Sequence, residues 1–447
     1  MTLIVNIFLP APNLPTQCAN VIVSAEFMQA SRTRHWVIVF AVVLSIITYI
    51  DRVSISFAGP QMRTDLGLSQ TQFGWVLAAF AWAYALFEIP GGWLGDRMGA
   101  RKVLARIVLW WSFFTAATGW AMNYTYLLVV RALFGAGEAG AFPNITKMFA
   151  TWLPPHEKSR AQGIVWMSAR WGGAFTPLLM AALFRMIDWR TAFQLFAGLG
   201  VLWTAAFYYW YRDNPKAHPN VNAAEIAVIG DSMKLAEEHG NVPWARFASS
   251  RSCWLLWIQY FMLSYGWYFY ITWFPTNLRD TLKFDLKSAG AILSGMPLFL
   301  GGIGCLISGF LTPKLGAYLG DVRKARKIVA VSGMTMAGVL LLVAVQLREP
   351  LVVVGVIAMA SFFNDIVMPP AWNTCMDVGG KFAGTLSGSM NMMGNFAGGV
   401  APVVIGKILD ATGNDFTITF YISAAAYFVG AVCWLGIDST RRLDKEA

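Results

Sequence analysis

Residues 92–99 read Gly-Trp-Leu-Gly-Asp-Arg-Met-Gly, and residues 309–316 read Gly-Phe-Leu-Thr-Pro-Lys-Leu-Gly. Both fit the pattern Gly-aromatic-Leu-x-x-basic-x-Gly, and each follows a long apolar run. A second pair lies at nearly the same offset: Arg170-Trp-Gly-Gly-Ala-Phe-Thr-Pro177 and Asn395-Phe-Ala-Gly-Gly-Val-Ala-Pro402. Self-similarity across half a chain marks an internal duplication. The small mismatch between the two offsets is what a loop insertion leaves behind.

A helix needs about 20 apolar residues to cross the hydrocarbon core of a bilayer. Runs of that kind fall near 36–58, 71–95, 103–122, 126–151, 161–184, 191–211, 253–275, 289–311, 328–347, 351–376, 383–406 and 416–437. They divide evenly about the polar stretch 212–252, which holds Glu225, Asp231, Lys234, Glu237 and Glu238 and is too long for a hairpin. The chain therefore reads as an all-α membrane protein, with twelve transmembrane helices in two six-helix bundles related as parallel repeats. The bundles are expected at 32–211 and 253–437, with a cytoplasmic linker at 212–252 and a cytoplasmic tail at 438–447. Residues 1–31 contain Pro10, Pro12 and Pro15 and lack the basic flank of a signal peptide. They are expected to be a disordered extension, or to lie before a true start at Met28.

Composition agrees. The chain is 57% hydrophobic and 13% charged, where soluble domains carry roughly 25% charged residues. The net charge of +10 sits in short loops rather than on one face, which argues against nucleic acid as a partner. With both termini inside, the inner loops hold 21 Lys and Arg and the outer loops 8, the bias expected of cytoplasmic loops. The five cysteines have no metal-ligand spacing and the four histidines fall between apolar runs. No metal, haem, histidine relay or nucleotide-binding loop is expected, and no cofactor.

Ionisable residues inside hydrocarbon are costly, so each is a functional candidate. The predicted spans hold Asp51, Arg52, Glu88, Arg106, Arg131, Glu138, Lys147, Arg170 and Asp365, all but the last in the first half. Glu138 lies ~18 Å deep at 1.5 Å per residue, with Arg131 seven residues earlier on the same face. That spacing fits either a structural Arg–Glu brace or a proton-exchanging carboxylate. Asp51 and Arg52 point about 100° apart round their helix, so one can face a cavity while the other pairs laterally. Arg170 reads as a partner for Glu138 or Asp51, or as an anion clamp. Glu88, next to Ile89-Pro90-Gly91-Gly92, reads as a helix-end group. Lys147 and Arg106 are expected to snorkel.

The loop Gly92-x-x-x-Asp96-Arg97-x-Gly99-x-Arg101-Lys102 resembles the signature of the major facilitator superfamily. Tyr49-Ile-Asp51-Arg52, Arg131-Ala-Leu-Phe-Gly-Ala-Gly-Glu138-Ala-Gly-Ala-Phe-Pro143 and Trp273-Phe-Pro275 are similar to the anion:cation symporters within it. That family includes bacterial galactonate and other sugar-acid transporters, and animal sialic-acid and glutamate carriers.

The resemblance implies a proton-coupled carrier of small organic anions, not an enzyme, working as a monomer in the bacterial inner membrane. Its partners would be a small carboxylate substrate, protons and the lipid bilayer. It implies proton coupling at Asp51 and Glu138, and substrate contact at Arg52 with Tyr49 beside it. Asn391 matches a substrate-binding Asn of sugar-acid carriers. From their places in the spans rather than from the resemblance, Trp372 and Arg170 are further candidate contacts, and Trp372 and Asn391 fit helix–helix hydrogen bonds equally well. Galactonate-type members have an uncharged amide at the position of Arg170. Asp96 and Arg97, with Arg101 and Arg131, would serve gating and structure. The alternatives are a drug or other-solute antiporter of the same fold, or an organic-anion exchanger. The antiporter usually carries Gly-x-x-x-Gly-Pro on its fifth helix, whereas this chain reads Gly173-Ala-Phe-Thr-Pro177.

The charge bias yields a direct test. Reporter tags at residues 230 and 447 should both report the cytoplasm, and an external signal from either would overturn the even-helix arrangement.

Overall fold

The computed structural model describes residues 29–233, 242–274, 277–278, 281–283, 289–413, 415–439 and 442–443. The extension before residue 29, residues 234–241 of the connector, Pro275, Arg279-Asp280 and the last four residues of the tail lie outside them. Among the described residues there is helix and no strand, as hydrocarbon demands, because a helix satisfies its own backbone hydrogen bonds.

The first half consists of α1 (Thr33–Leu66), α2 (Gln70–Met98), α3 (Ala100–Gly119), α4 (Tyr124–Glu138), α5 (Ala141–Trp152), α6 (Pro155–Leu183) and α7 (Trp189–Trp210). Among its described residues the connector contains the short α-helices α8 (Ala223–Ile229) and α9 (Trp244–Ser249). The second half consists of α10 (Arg251–Thr272), α11 (Ala289–Leu319), α12 (Val322–Gln346), α13 (Pro350–Asp365), α14 (Met368–Gly379), α15 (Ala383–Thr412) and α16 (Thr417–Gly436). Taking α4 with α5 and α13 with α14 as single crossings gives twelve, in the order the sequence predicts.

By length and apolarity alone seven stretches qualify as membrane spans, and one of them, Pro350–Leu409, runs through two crossings. The crossings that fall short have visible reasons. α3 carries Arg101, Lys102 and Arg106, α6 carries Glu157, Lys158, Arg160 and Arg170, α10 is crowded with Tyr and Trp, and α4–α5 is broken. Turns at the ends use ordinary caps. Ser69 and Gln72 form a reciprocal capping box on α2, and Asn123, Asp188 and Asp321 accept from the first turns of α4, α7 and α12.

The interruptions in the fourth and tenth crossings fall at equivalent positions, although Ile366 and Val367 of the tenth keep right-handed helical backbone. Glu138 and Asp365 end the first segments, Ala141 and Met368 open the second, and Trp152 and Gly379 close them, at one constant offset. In the first half the break is made by Ala139 in extended backbone and Gly140 at φ 86°. That positive φ suits glycine, and a Cβ on Gly140 would stand 2.6 Å from Gly91 Cα. Each break therefore presents an acid at mid-depth.

The halves meet along α2 with α15 and α6 with α11. Close approach is concentrated toward the connector end. A Cβ on Gly92 would lie 2.3 Å from the Gly384 carbonyl oxygen, and one on Gly163 would lie 2.7 Å from that of Cys305. Beside Gly92, Asp96 accepts from the backbone N–H groups of Gly384 and Thr385 at 3.1 and 2.6 Å and from the Thr385 hydroxyl at 2.7 Å. These are the first N–H groups of α15, where orphan donors and the helix dipole favour an anion. Lys147, expected to snorkel, is instead buried, 3.5 Å from Asp96 and donating to the Lys381 carbonyl at 2.6 Å. The second half covers this end and supplies the Lys381 carbonyl in place of solvent.

The connector is anchored to the first half. Glu225 on α8 is fully buried and accepts from the backbone N–H groups of Thr33 and Arg34, while Arg34 also pairs with Glu157 at 2.9 Å.

Gly92→Val would force α2 and α15 apart at the point of closest approach. The variant should fold, and a cysteine placed at the buried Thr385 should then react several-fold faster with a water-soluble maleimide than in the Gly92 background. Unchanged labelling would mean that this seam does not control access.

Candidate binding site between the halves

The chemistry-bearing side chains gather at the level of the two breaks. On α1, Arg52 donates through Nε to Glu138 Oε1 at 2.5 Å, and its guanidinium lies 4.3 Å from the centre of the Tyr84 ring. Arg52 keeps 20% of its side-chain surface accessible while Glu138 has none, and Arg52 Nη2 meets no acceptor. Glu138 Oε2 also lacks a partner. Thus the Arg–Glu brace exists, but Arg52 forms it. Arg131 packs over Phe134 and Phe80, at 4.2 and 5.1 Å, with its Nε unpaired.

Asp51 is buried and neither of its carboxylate oxygens is hydrogen-bonded in good geometry, although the Thr115 hydroxyl lies beside it. Glu138 and Arg131 are the charges that act on it. Glu88 corrects its sequence reading. It is fully buried inside α2, whose Pro90 lies within the helix, and its Oε1 accepts from Asn391 Nδ2 of the second half at 2.5 Å. Its other oxygen makes no hydrogen bond in good geometry, although the Tyr84 hydroxyl lies beside it.

Arg170 also departs from expectation. Its guanidinium meets neither Glu138 nor Asp51, and grips Asp365 of the second half at two points, Nε to Oδ2 at 2.7 Å and Nη2 to Oδ1 at 3.0 Å. Its Nη1 donates to the Tyr49 hydroxyl at 2.9 Å, and Trp267 lies under the guanidinium at 4.3 Å. Asp365 takes a further bond from Asn364 Nδ2 at 2.9 Å, and Asn364 accepts from Tyr427.

An aromatic wall closes the connector side. Phe142 stacks on Trp166 at 4.6 Å, Trp166 packs on Trp372 at 5.1 Å, and Trp372 Nε1 donates to the Tyr260 hydroxyl at 3.2 Å. Tyr260 in turn reaches Asn391 Oδ1 at 3.5 Å. The predicted binding residues Tyr49, Arg52, Arg170, Trp372 and Asn391 are therefore brought to one region, with Asp51 and Glu138 beside them. Arg97 and Arg101 are not. Arg97 is exposed over Trp93, and Arg101 holds the Tyr208 carbonyl and the Asp213 carboxylate at the connector end. A separate cleft of about 330 Å³ between α1 and α6, lined by Ile46, Ile50, Met167, Trp171 and Phe175, carries no ionisable group and is set apart from this chemistry. Among the described residues no cluster has the composition of a metal site.

Comparison with known proteins fits this geometry. The profile of the Major Facilitator Superfamily matches residues 41–402, most of the chain. The chain belongs to that superfamily. It is 35% identical to a probable sulfoacetate transporter of Cupriavidus necator over 93% of this chain and 96% of the relative. It is 29% identical to a probable galactarate/D-glucarate transporter of Escherichia coli over 89% and 91%. Among solved structures, a proton:xylose symporter bound to 6-bromo-6-deoxy-D-glucose superposes with a TM-score of 0.71 over 91% of this chain and 96% of the other, at 13% identity, which speaks for the fold.

For this major facilitator protein, two site members escaped the sequence reading. Glu88 was set aside because Pro90-Gly91-Gly92 imitates a helix end. Asp365 is a functional candidate by its place in a span, but its pairing with Arg170 is not read from the sequence, although a signal of its place is available. It stands five residues before Pro370 just as Glu138 stands five before Pro143, and the repeat makes them counterparts.

Arg170→Gln would leave Asp365 buried without its cation, a change that costs about 3–5 kcal/mol. The apparent unfolding temperature of the purified variant should fall clearly. The double variant Arg170→Gln/Asp365→Asn should recover most of the loss, and additive losses would show the two groups to be uncoupled.

Proposed function

We propose that this chain is a secondary transporter that carries a small organic anion together with protons by alternating access. The carrying observation is the charge inventory between the halves. Asp51, Glu88, Glu138 and Asp365 face only three guanidiniums, Arg52, Arg131 and Arg170, among the described buried groups. If every acid were ionised the set would hold one negative charge too many. An incoming anion adds to that excess, and in a dry interior the added charge is costly. Carboxylates that accept protons offset it, which couples substrate entry to proton entry.

Roles follow from position. Arg52 offers an unused N–H and an accessible edge, so it is the first contact for the substrate's acid group, with Tyr49 beside it. A guanidinium suits this because it stays charged and fits a carboxylate or sulfonate at two points. Glu138 competes with substrate for Arg52 and releases it when protonated. Asp51, without donors of its own, is the second proton carrier. Asn391 and Trp372 form the second-half wall against the uncharged part of the substrate, and Asp96 holds the connector end shut. Arg97 and Arg101 shape that end of the gate, and Arg131 balances Asp51 and Glu138. The acids named for the relatives, sulfoacetate and galactarate or glucarate, support small hydroxylated or sulfonated acids as the substrate class. We place the protein in a bacterial inner membrane, as a monomer with both termini in the cytoplasm, and assign it no enzymatic reaction.

Glu138→Gln imitates the protonated state. In proteoliposomes, uphill accumulation driven by a pH gradient should vanish while exchange of substrate against substrate persists, and Asp51→Asn should also lose accumulation. Normal accumulation by Glu138→Gln would remove the coupling assignment. Wild-type exchange with no response to a pH gradient would make the protein an anion exchanger.

A further inference from the structure

Resting on the anion-carrier reading above, we infer that Asp365 occupies the seat of a second acid group, so that a two-acid substrate binds by displacing Asp365 from Arg170 and loading it with a proton. The Arg170–Asp365 ion pair joins the two halves, Arg170 standing on α6 and Asp365 on α13. Its repeat counterpart, Glu138, pairs with Arg52 inside the first half. The two arginines are thus in different states. Arg52 keeps 20% of its side-chain surface and an unused N–H, whereas Arg170 keeps 3% and spends its donors on Asp365 and Tyr49.

A single acid group can seat on Arg52 and leave the tie between halves intact. A second acid group on the same molecule finds its cation already gripped at two points by a carboxylate, the geometry a substrate acid would itself adopt. Both arginines flank the one side chain of Tyr49, Arg52 at 5.6 Å from the ring centre and Arg170 through the hydroxyl at 2.9 Å, which places the two cations in one site for a single substrate.

The displaced Asp365 stays fully buried. Around it stand Arg170 from α6, Cys305 from α11, Tyr270 from α10, Tyr427 from α16 and, through Arg170, Tyr49 from α1. None of these except Arg170 is a cation, so once Arg170 turns to substrate no neighbour offsets an ionised Asp365. The charge balances when Asp365 takes one proton from the aqueous phase that delivers the substrate. Asn364, held by Tyr427 and through it Tyr270 at 3.2 Å, then accommodates the neutral acid. Two consequences follow: a diacid takes up one more proton than a monoacid, and it unties the halves, which a monoacid does not.

The test is calorimetric titration of the full-length protein in lipid nanodiscs, run in two buffers of different ionisation enthalpy to count protons. Glucarate and sulfoacetate serve as two-acid probes and gluconate as the one-acid probe. Wild type should take up about one proton more with the two-acid probes than with gluconate, the charge difference between them. Asp365→Asn should abolish that difference and raise the glucarate-to-gluconate affinity ratio about tenfold, the scale of one freed charge-assisted contact. Equal proton uptake for both acid classes, or an equal change in both affinities in Asp365→Asn, would overturn the inference and leave Asp365 a structural brace. If Asp365→Asn does not yield monodisperse protein, the wild-type proton count decides alone. Arg52→Lys should weaken every bound acid. If it weakens none, the anion-carrier site itself is misplaced, a failure separate from that of Asp365.

Discussion

A guanidinium taken out of water must keep a carboxylate beside it, and much of the interior of this protein follows from that demand. Arg52 and Arg170 sit at mid-depth on α1 and α6, and each is met by the acid that ends a broken helix, Glu138 and Asp365. The breaks supply these acids. In an unbroken helix the last residue of α4 or α13 would be one ring position among many. After Glu138 the chain leaves helical backbone at Ala139 and Gly140 before α5 begins, whereas after Asp365 it runs on through the helical residues Ile366 and Val367 into α14. The aromatic wall of Phe142, Trp166 and Trp372 draws on both following segments, since Phe142 lies on α5 and Trp372 on α14.

Closure at the connector end uses a different physics. Glycines at 92, 163, 309 and 384 let backbones touch where lipid provides no hydrophobic drive for helices to associate. Asp96 then supplies direction, because only the start of α15 offers two free N–H groups and a positive dipole end to a carboxylate arriving from α2. The contact is made of directional hydrogen bonds to one helix end.

The sequence exposed most of this architecture because crossing a bilayer leaves long, unambiguous runs. The expected span 191–211 became Trp189–Trp210 and 416–437 became Thr417–Gly436. Extensions past the apolar runs were not visible. α1 continues to Leu66 through Gln61, Arg63, Thr64 and Asp65, because helical hydrogen bonding does not stop where hydrocarbon does. The site was legible as a set of charges but not as a set of pairs. Depth along a helix can be counted from sequence, and rotation about it roughly so. Which helix of the other half stands opposite is tertiary information, and Arg170–Asp365, Glu88–Asn391 and Lys147–Asp96 all depended on partners brought in by folding or by the second half.

The asymmetry between the halves carries the last step. The repeat gives both halves a broken helix with a terminal acid, but only the first half has arginines on its facing helices. Where α6 carries Arg170, the matching position on α15 is Asn395. The same geometry survives there in neutral form, with Tyr268 donating to Asn395 Oδ1 at 3.2 Å as Arg170 donates to Tyr49 at 2.9 Å. Asp365 therefore pairs with no cation of its own half and reaches across the interface to Arg170. A duplicated fold whose second half keeps the acid of the fourth crossing without an arginine to match it thereby acquires a charge contact that holds only while its two halves stay together at that level.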